Sequence, residues 1–294
     1  MIEQPKITVV GSLNMDLVTI TDQLPERGET LIGQHFQMNP GGKGANQAVA
    51  AARLGACTTM IGCVGNDTFG KQLIENLAEN GVNVDNVEPV TYSITGTATI
   101  LVSEEDNRII VTPGANNEVT VDFIESKRDI IANSDVVVLQ LEIPLESVIR
   151  AVEIAKENDV KVILNPAPIF ELPHSLLKQV DYVTPNEHEK KVLIQNEEQE
   201  QELQEKLIVT LGEHGVAFYE DGQLVNIPAN KVQVVDTTGA GDSFNGALAV
   251  ALSEGKSLRE ACIYSSAVAA LSITKLGAQT GMPTVEEVNE FLKK

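Results

Sequence analysis

A carboxylate stands directly after a glycine-rich turn in the segment 236–246, which reads DTTGAGDSFNG. Gly239 and Gly241 allow a tight turn whose successive backbone N–H groups face one side and can bind an anion. The Ala-rich stretch that follows predicts a helix, and the N-terminal end of a helix also attracts negative charge. Asp242 stands at the same point and can accept a proton. Anion-binding amides beside a base suit phosphoryl transfer to a hydroxyl, although a plain helix N-cap would also use an Asp here.

A second glycine-rich loop, NPGGKGAN, occupies 39–46 and leads into another predicted helix. Its three glycines let a backbone approach a ligand closely, and Lys43 adds a cation. Asn46 falls in the first helical turn, where free N–H groups point outward. The loop is not a Walker A motif, because Gln37 and Gly44 stand where that motif requires Gly and Ser or Thr. A turn that only starts a helix is the alternative.

Polar side chains follow several apolar runs that read as buried strands. Asn14 and Asp16 come after the first run, and Glu142 ends a later one. Asn186 and Glu189 have an Asn-x-x-Glu spacing that could hold Mg²⁺ through water. Because α/β proteins bind ligands at the carboxyl ends of parallel strands, these residues are candidates for one shared site. A turn with capping residues is the alternative for Asn14 and Asp16, whereas Glu142, Asn186 and Glu189, each taken alone, are more often a cap or a turn than a site.

Apolar runs alternate with helical patterns along most of the 294 residues, which predicts an α/β fold: a Rossmann-like parallel sheet with helices on both faces. The predicted strands are 7–10, 59–64, 136–141, 162–164 and 207–210. The predicted helices are 45–54, 69–80, 121–132, 145–157, 187–205, 241–253, 258–274 and 285–292. An Asp-Gly pair at 221–222 predicts a hairpin between 216–219 and 224–227. The length suits a single domain over 1–294.

Two stretches, about 15–38 and 94–112, have strand patterns with no helix between their halves. Strands are predicted at 31–37, 97–103 and 108–111, with a hairpin turn at 104–107. We interpret them as a small sheet that covers one end of the main sheet as a lid. Since exposed strand edges need partners, this sheet predicts a homodimer. A surface hairpin without a role is the alternative.

The chain is strongly acidic, with a net charge of -21. Such a field repels nucleic acids and anionic membranes, so neither is expected as a partner. Its three cysteines form no CxxC pair, which favours a reducing compartment. No apolar run approaches the roughly 20 residues that span a bilayer, and the N-terminus leads straight into a predicted strand. These features predict a cytoplasmic protein.

The segments 41–55 and 236–246 resemble the two signatures of the PfkB carbohydrate kinases. Shorter matches at 11–16, 62–67, 164–168, 185–189 and 277–279 extend the resemblance over nearly the whole chain. It implies a Rossmann-like domain whose β-sheet lid pairs with the lid of a second subunit. It also implies ATP-dependent phosphorylation of D-ribose at O5, with Mg²⁺ and K⁺ as further ligands. The segment 190–206 departs from the family by being shorter and rich in Glu and Gln.

The resemblance also implies roles for individual residues. Asp242 would be the general base, beside an anion hole formed by the amides of Gly239, Ala240 and Gly241. The ribose hydroxyls would be held by Asn14, Asp16, Gly42, Lys43, Asn46, Glu142 and Asp242. The nucleotide would lie along Asn186, Thr210, Leu211, Gly212, Glu213, His214, Gly215, Gly241 and Ser266, with Glu189 ordering Mg²⁺ through water. K⁺ would be bound by Asp236, Thr238, Ser272, Lys275, Gly277 and Gly281, mostly through backbone carbonyls.

Two kinds of alternative function stay open at this point. Another kinase of the family, acting on 2-deoxyribose, fructose or a nucleoside, would carry both signatures, and Lys43 favours a free pentose only by resemblance. A sugar-binding regulatory protein of the same fold could lose Asp242 or the glycines before it, and this chain retains them. Turnover measured across a panel of sugars distinguishes these alternatives.

Overall fold

The computed structural model describes residues 4–103 and 106–293. Within these residues the strands are β1 Lys6–Val10, β2 Asn14–Ile20, β3 His35–Gly41, β4 Cys57–Gly65, β5 Asn83–Val90, β6 Gly96–Ser103, β7 Asp106–Thr112, β8 Val136–Leu139, β9 Lys161–Leu164, β10 Tyr182–Val183, β11 Ile208–Thr210, β12 Val216–Glu220 and β13 Gln223–Ile227. The helices are α1 Lys43–Arg53, α2 Thr68–Glu79, α3 Val121–Ser126, α4 Arg128–Ala132, α5 Leu145–Glu157, α6 His174–Gln179, α7 Glu187–Leu193, α8 Glu197–Leu203, α9 Ala240–Ser253, α10 Leu258–Ser272, α11 Ala278–Gly281 and α12 Val285–Phe291.

The main sheet has six strands in the order β10-β9-β8-β1-β4-β5, and every neighbouring pair is parallel. Its central strands are buried because their side chains meet helices on both faces. One apolar core lies between the sheet and α1, α9 and α10, and a second lies between the sheet and α5. The predicted α/β fold with a parallel sheet is therefore confirmed.

A short antiparallel sheet, β11-β12-β13, continues the main sheet at its β10 edge. Parallel bridges join Val183 to Leu207 and Asn186 to Thr210, so the carboxyl ends of β10 and β11 lie side by side. Asp221 and Gly222 have φ of 53° and 72°, as a type I′ turn requires, which confirms the hairpin. The strand predicted at 207–210 is confirmed as β11, which bridges in parallel to the β10 side, but its other edge pairs antiparallel with β12, a pairing that was not predicted.

The small sheet has the order β3-β2-β6-β7 and confirms that strands occupy the two stretches without helices. Its strands start or end at Asn14, Gly41 and Gly96, which are neighbours in register. Residues 31–34 are not part of a strand, because β3 begins only at His35. Of the turn predicted at 104–107, residues 104 and 105 lie outside the described residues, and β6 and β7 pair antiparallel on either side of it.

Two predicted helices are each divided. The helix expected at 121–132 breaks at Lys127 into α3 and α4. The helix expected at 187–205 ends at Leu193 and resumes as α8, where the Asn196 side chain accepts a hydrogen bond from the Gln199 amide as N-cap. Strand β5 and helix α6 were not predicted. None of the described helices combines the length and the apolar character that a membrane crossing needs.

Candidate active site

The N-terminus of α9 faces a cavity of about 170 Å³ at the carboxyl end of the main sheet. Gly239 is the N-cap and has a left-handed φ of 79°, which a residue with a side chain rarely adopts. The Ala240 N–H donates to the Thr237 carbonyl at 3.2 Å. Among the described residues, the N–H groups of Gly241 and Asp242 have no acceptor. This helix start therefore keeps free donors for an anion.

The carboxylate of Asp242 lies in the first turn of α9 and is only 7% exposed. Its Oδ2 accepts a hydrogen bond from Asn46 Nδ2 at 2.9 Å, and its Oδ1 accepts one from Gln47 Nε2 at 3.0 Å. Burial raises the pKa of this carboxyl, while Lys43 and the two amides oppose the rise. Because burial raises the pKa of this carboxyl, its ionised form is a better proton acceptor.

Lys43, the first residue of α1, lines the same cavity. Burial acts to lower the pKa of its ammonium group. The carboxylates of Asp242, Glu142 and Glu189 outweigh burial and raise this pKa, so the side chain stays cationic. One cation thus serves three carboxylates in a protein whose overall charge would repel an anionic substrate.

A polar cluster next to Lys43 is organised around the carboxylate of Glu142. Its Oε2 accepts hydrogen bonds from Ser12 Oγ at 2.5 Å, from the Lys43 backbone N–H at 3.1 Å and from Asn14 Nδ2 at 3.5 Å. Asp16 follows on β2, and burial together with Glu142 and Asp242 raises its pKa to about 7. The predicted residues Asn14, Asp16, Lys43 and Glu142 therefore lie together beside Asp242.

The cavity brings together residues from five segments of the chain. Its lining is Lys43, Asn165, Ala167, Thr184, Asn186, Glu189, Thr210, Thr237, Gly239, Ala240, Gly241, Asp242 and Asn245. Asn186 and Glu189 also form the capping box of α7, so the cap interpretation is correct for them as well. The Glu189 carboxylate uses Oε2 for this cap. Its Oε1 has no donor among the described residues, which suits a water of a hydrated Mg²⁺.

Not all predicted nucleotide residues reach this cavity. Thr210 lines it, whereas Leu211 to Gly215 continue away from it, with Gly212 to His214 in an exposed 3₁₀ turn. Ser266 is buried on α10 and is not part of the lining. Gly42 and Asn46 lie behind Lys43 and Asp242, where Asn46 Oδ1 accepts from Gln279 Nε2 at 3.0 Å.

The residues predicted to bind K⁺ come from two segments that lie side by side next to the α9 turn. Asp236 Oδ1 accepts from the Thr238 N–H at 2.9 Å, and its Oδ2 accepts from the Gly277 N–H at 2.8 Å. Gly281 packs so closely on the Ser272 carbonyl that no side chain would fit there. The Lys275 ammonium group pairs with Glu287 at 2.9 Å, so only its carbonyl is available. Asp236 therefore ties the two segments together, and backbone carbonyls are the only oxygen ligands that Lys275, Gly277 and Gly281 could offer a cation.

The model of the pfkB family of carbohydrate kinases matches residues 4–285. The chain belongs to this family. Ribokinase of Lactococcus lactis is 47% identical over 98% of this chain and 97% of that protein. A solved structure of Arabidopsis thaliana ribokinase, complexed with ribose and ATP, has a TM-score of 0.89 and 34% identity, and covers 99% of this chain and 100% of that one. A deoxyribokinase of Salmonella typhimurium is 37% identical over 97% of this chain and 98% of that protein.

Several buried polar residues of this pfkB kinase were missed in the sequence. Asn116 holds the start of β2, since its side chain pairs with the Leu13 backbone and donates to Asn14 Oδ1 at 2.7 Å. Gln47 contacts Asp242 directly, as described above. Gln47 could have been found, because it stands next to Asn46 in the first signature. Asn116 gave no signal, because its partners lie about a hundred residues away in sequence.

Proposed function

We propose that this pfkB kinase transfers the γ-phosphoryl group of ATP to O5 of D-ribose and produces D-ribose 5-phosphate. The proposal depends on one observation: the buried carboxylate of Asp242 and unpaired backbone amides share the first turn of α9. A hydroxyl that reaches this turn meets a proton acceptor and anion-binding donors together. The names of the relatives support the substrates, since they include ribokinases and a complex with ribose and ATP.

In the proposed reaction, Asp242 accepts the proton of the ribose O5 hydroxyl. O5 then forms its bond to the γ-phosphorus while the bond from that phosphorus to the ADP oxygen breaks. The amides of Gly239 and Gly241 stabilise the negative charge of the transferred group, and the Ala240 N–H joins them when it exchanges its bond to the Thr237 carbonyl for one to the phosphate. Lys43 supplies a positive charge beside them. Glu189 would order Mg²⁺ through water, and the ion would neutralise phosphate charge there.

The polar cluster around Glu142 is proposed as the ribose site. Its oxygen and amide groups match the donors and acceptors of vicinal hydroxyls, and it adjoins the Asp242 carboxylate. The residues assigned to the sugar are Asn14, Asp16, Gly42, Lys43, Asn46 and Glu142. Those assigned to the nucleotide are Asn186, Thr210, Leu211, Gly212, Glu213, His214, Gly215, Gly241 and Ser266.

We also propose that K⁺ binds between the two segments beside the α9 turn. The residues assigned to it are Asp236, Thr238, Ser272, Lys275, Gly277 and Gly281. The support is their arrangement around Asp236, which already ties the Thr238 and Gly277 amides together. A cation there would stiffen the backbone that leads into the anion-binding amides.

A homodimer through the small sheet is proposed from its exposed apolar side chains. Phe36, Met38 and Ile110 lie on one face of this sheet and are between 47% and 66% exposed. Burying such side chains against a second copy removes apolar area from water. Sedimentation equilibrium at micromolar concentration is expected to give twice the chain mass of 31.6 kDa, and Ile110→Lys to lower it. A monomeric wild-type protein would exclude this dimer.

Turnover across a panel of sugars tests the proposed function. ATP consumption in a coupled assay is expected to be fastest with ribose and slow with fructose or adenosine. 2-Deoxyribose is the second candidate, because a deoxyribokinase is among the relatives and this sugar lacks one hydroxyl. Equal or faster turnover of fructose or adenosine would contradict the ribose assignment. Sugar binding without any turnover would identify the chain as a non-catalytic binding protein.

A further inference from the structure

The side chain of Gln47 is fully buried against the carboxylate of Asp242. Its Nε2 donates to Asp242 Oδ1 at 3.0 Å and to Asn165 Oδ1 at 3.2 Å, and its Oε1 accepts from Gln140 Nε2 at 2.7 Å. An ionised carboxylate can only accept hydrogen bonds, so the amide of Gln47 must point its nitrogen at Asp242. Gln140 leaves its own Oε1 without a donor among the described residues while it donates to Gln47.

The hydrogen bonds that start at Gln47 return to the α9 turn. Asn165 Nδ2 donates to the Thr184 carbonyl at 3.3 Å. Thr184 Oγ1 donates to Asn245 Oδ1 at 2.7 Å, and Asn245 Nδ2 donates to the Gly241 carbonyl at 2.8 Å. Since Gly241 precedes Asp242, the path closes on itself. We call Gln47, Asn165, Thr184 and Asn245 the amide ring.

We propose that Gln47 is a positioning residue for Asp242, and that the amide ring holds this carboxylate in a fixed relation to the anion-binding turn. The inference rests on the proposed function, because it takes Asp242 as the base. Without a donor at Oδ1, the carboxylate keeps only the hydrogen bond from Asn46 at Oδ2 and can rotate. A base that rotates spends less time aligned with the hydroxyl proton. The chemical step therefore slows, while the affinity for the sugar stays the same.

The same hydrogen bond also acts on the protonation of Asp242. The charged groups that face this carboxyl are Lys43 on α1, Glu142 after β8 and Asp16 on β2. They remain in place when Gln47 is replaced. Burial still opposes the ionised form, so losing the donor raises the pKa of Asp242 further. The acidic limb of activity, where the base loses its proton, should then move to higher pH.

Gln47→Met tests the inference, because methionine has a similar length and no donor. We expect kcat to fall about tenfold or more, KM for ribose to change less than about threefold, and the acidic limb of kcat to rise by about one pH unit. Carbon-13 titration of the Asp242 carboxyl by NMR, assigned by its loss in Asp242→Asn, should show the same shift without any substrate. An unmoved limb and an unmoved titration would overturn the inference. If Gln47→Met does not fold, Gln47→Asn has the same expectation, since its amide is too short to reach Asp242.

Gln140→Met is the matched control. Gln140 is also fully buried and bonded to Gln47, but it does not touch Asp242. Both variants should lower Tm by similar amounts, while only Gln47→Met should shift the Asp242 titration. Equal shifts in both would overturn the inference, because they would indicate general loosening. If wild type failed to phosphorylate ribose while Gln47→Met still shifted the titration, the proposed function would fail and the contact would stand.

Discussion

The helices α1 and α9 begin with the same pattern of glycines. Each has Gly-x-Gly at the N-cap and the first two helical positions, and the N-cap glycines Gly42 and Gly239 have φ of 89° and 79°. In each helix the fifth residue, counted from the N-cap, donates its N–H back to the N-cap carbonyl at 2.8 to 2.9 Å. From the sequence, both starts are equally good candidates for an anion site.

Their free amides differ. At α1 the Lys43 N–H donates to Glu142 Oε2, the Gly44 N–H to Ser12 Oγ and the Ala45 N–H to the Ser12 carbonyl. At α9 the N–H groups of Gly241 and Asp242 have no acceptor among the described residues. Protein groups therefore occupy the donors of α1, and only α9 can offer its donors to a ligand. A glycine-rich helix start can bind an anion only when its N–H groups have no acceptor within the protein.

The largest effect is expected from Asp242→Asn at α9. An amide cannot accept the O5 proton, so kcat should fall at least about 10²-fold while ribose binding is retained. Glu142→Gln, at the filled start of α1, should instead raise KM for ribose more than it lowers kcat. Initial rates and calorimetric titration with ribose measure both. Near-normal turnover of Asp242→Asn would remove this residue as the base.

The second glycines of the two helices should respond differently to alanine. A Cβ on Gly44 would lie 2.6 Å from the Ser12 backbone nitrogen, whereas a Cβ on Gly241 meets nothing within 4 Å. We expect Gly44→Ala to lower the free energy of unfolding by about 3 kcal/mol, and Gly241→Ala to change it by less than about 1 kcal/mol. Urea unfolding measures both. Equal losses would mean that the two helix starts are packed alike.

The stability of the polar cluster next to α1 should also depend on pH. The pKa of Asp16 is about 7 in the folded protein and 3.8 as a free residue, so the folded state binds more protons between these values. Its contribution to stability is complete below about pH 4 and is lost as the pH rises through about 7. Asp16→Asn should therefore be more stable than wild type by on the order of 2 kcal/mol at about pH 8, with no difference at about pH 4. Unfolding in urea at the two pH values checks this, and a constant difference would contradict it.

The smallest effect is expected from the monovalent cation. K⁺ beside the α9 turn should raise kcat several-fold over Na⁺ at equal ionic strength, because it holds the empty helix start in shape. It should not affect α1, whose donors are already paired. Rates in the two salts, together with sugar binding, measure this. Equal rates would argue against a selective cation site.

Much of the fold could be predicted because the decisive signals are local. The helix predicted at 145–157 matches α5, whose apolar residues recur at helical spacing. Strand β5 was missed because it lies at the sheet edge and its valines recur every third residue, among Asn, Asp and Pro residues that are rare in strands. The breaks at Lys127 and before Asn196 were missed because helical periodicity continues across them. Local spacing therefore predicts that a helix exists better than it predicts where the helix is interrupted.

The site was predictable where its residues are contiguous in sequence. The two glycine-rich segments identify Lys43 and Asp242, but not which helix start stays empty. Ser12 and Glu142 decide that, and Glu142 reaches Ser12 across 130 residues. Gln47 meets Asn165 across 118 residues and Asp242 across 195. Such pairings depend on the order of strands in the sheet, which no local pattern encodes.

The small sheet and the polar cluster around Glu142 share one strand. β2 is an inner strand of the small sheet, and it also carries Asn14 and Asp16. Its first residue is in register with Gly41 on one side and Gly96 on the other, so no hinge separates the sheet from these side chains. A tilt of the sheet would therefore move Asn14 and Asp16 within the polar cluster. A second copy bound to the outer face of the small sheet would thereby alter the geometry of the polar cluster without contacting it.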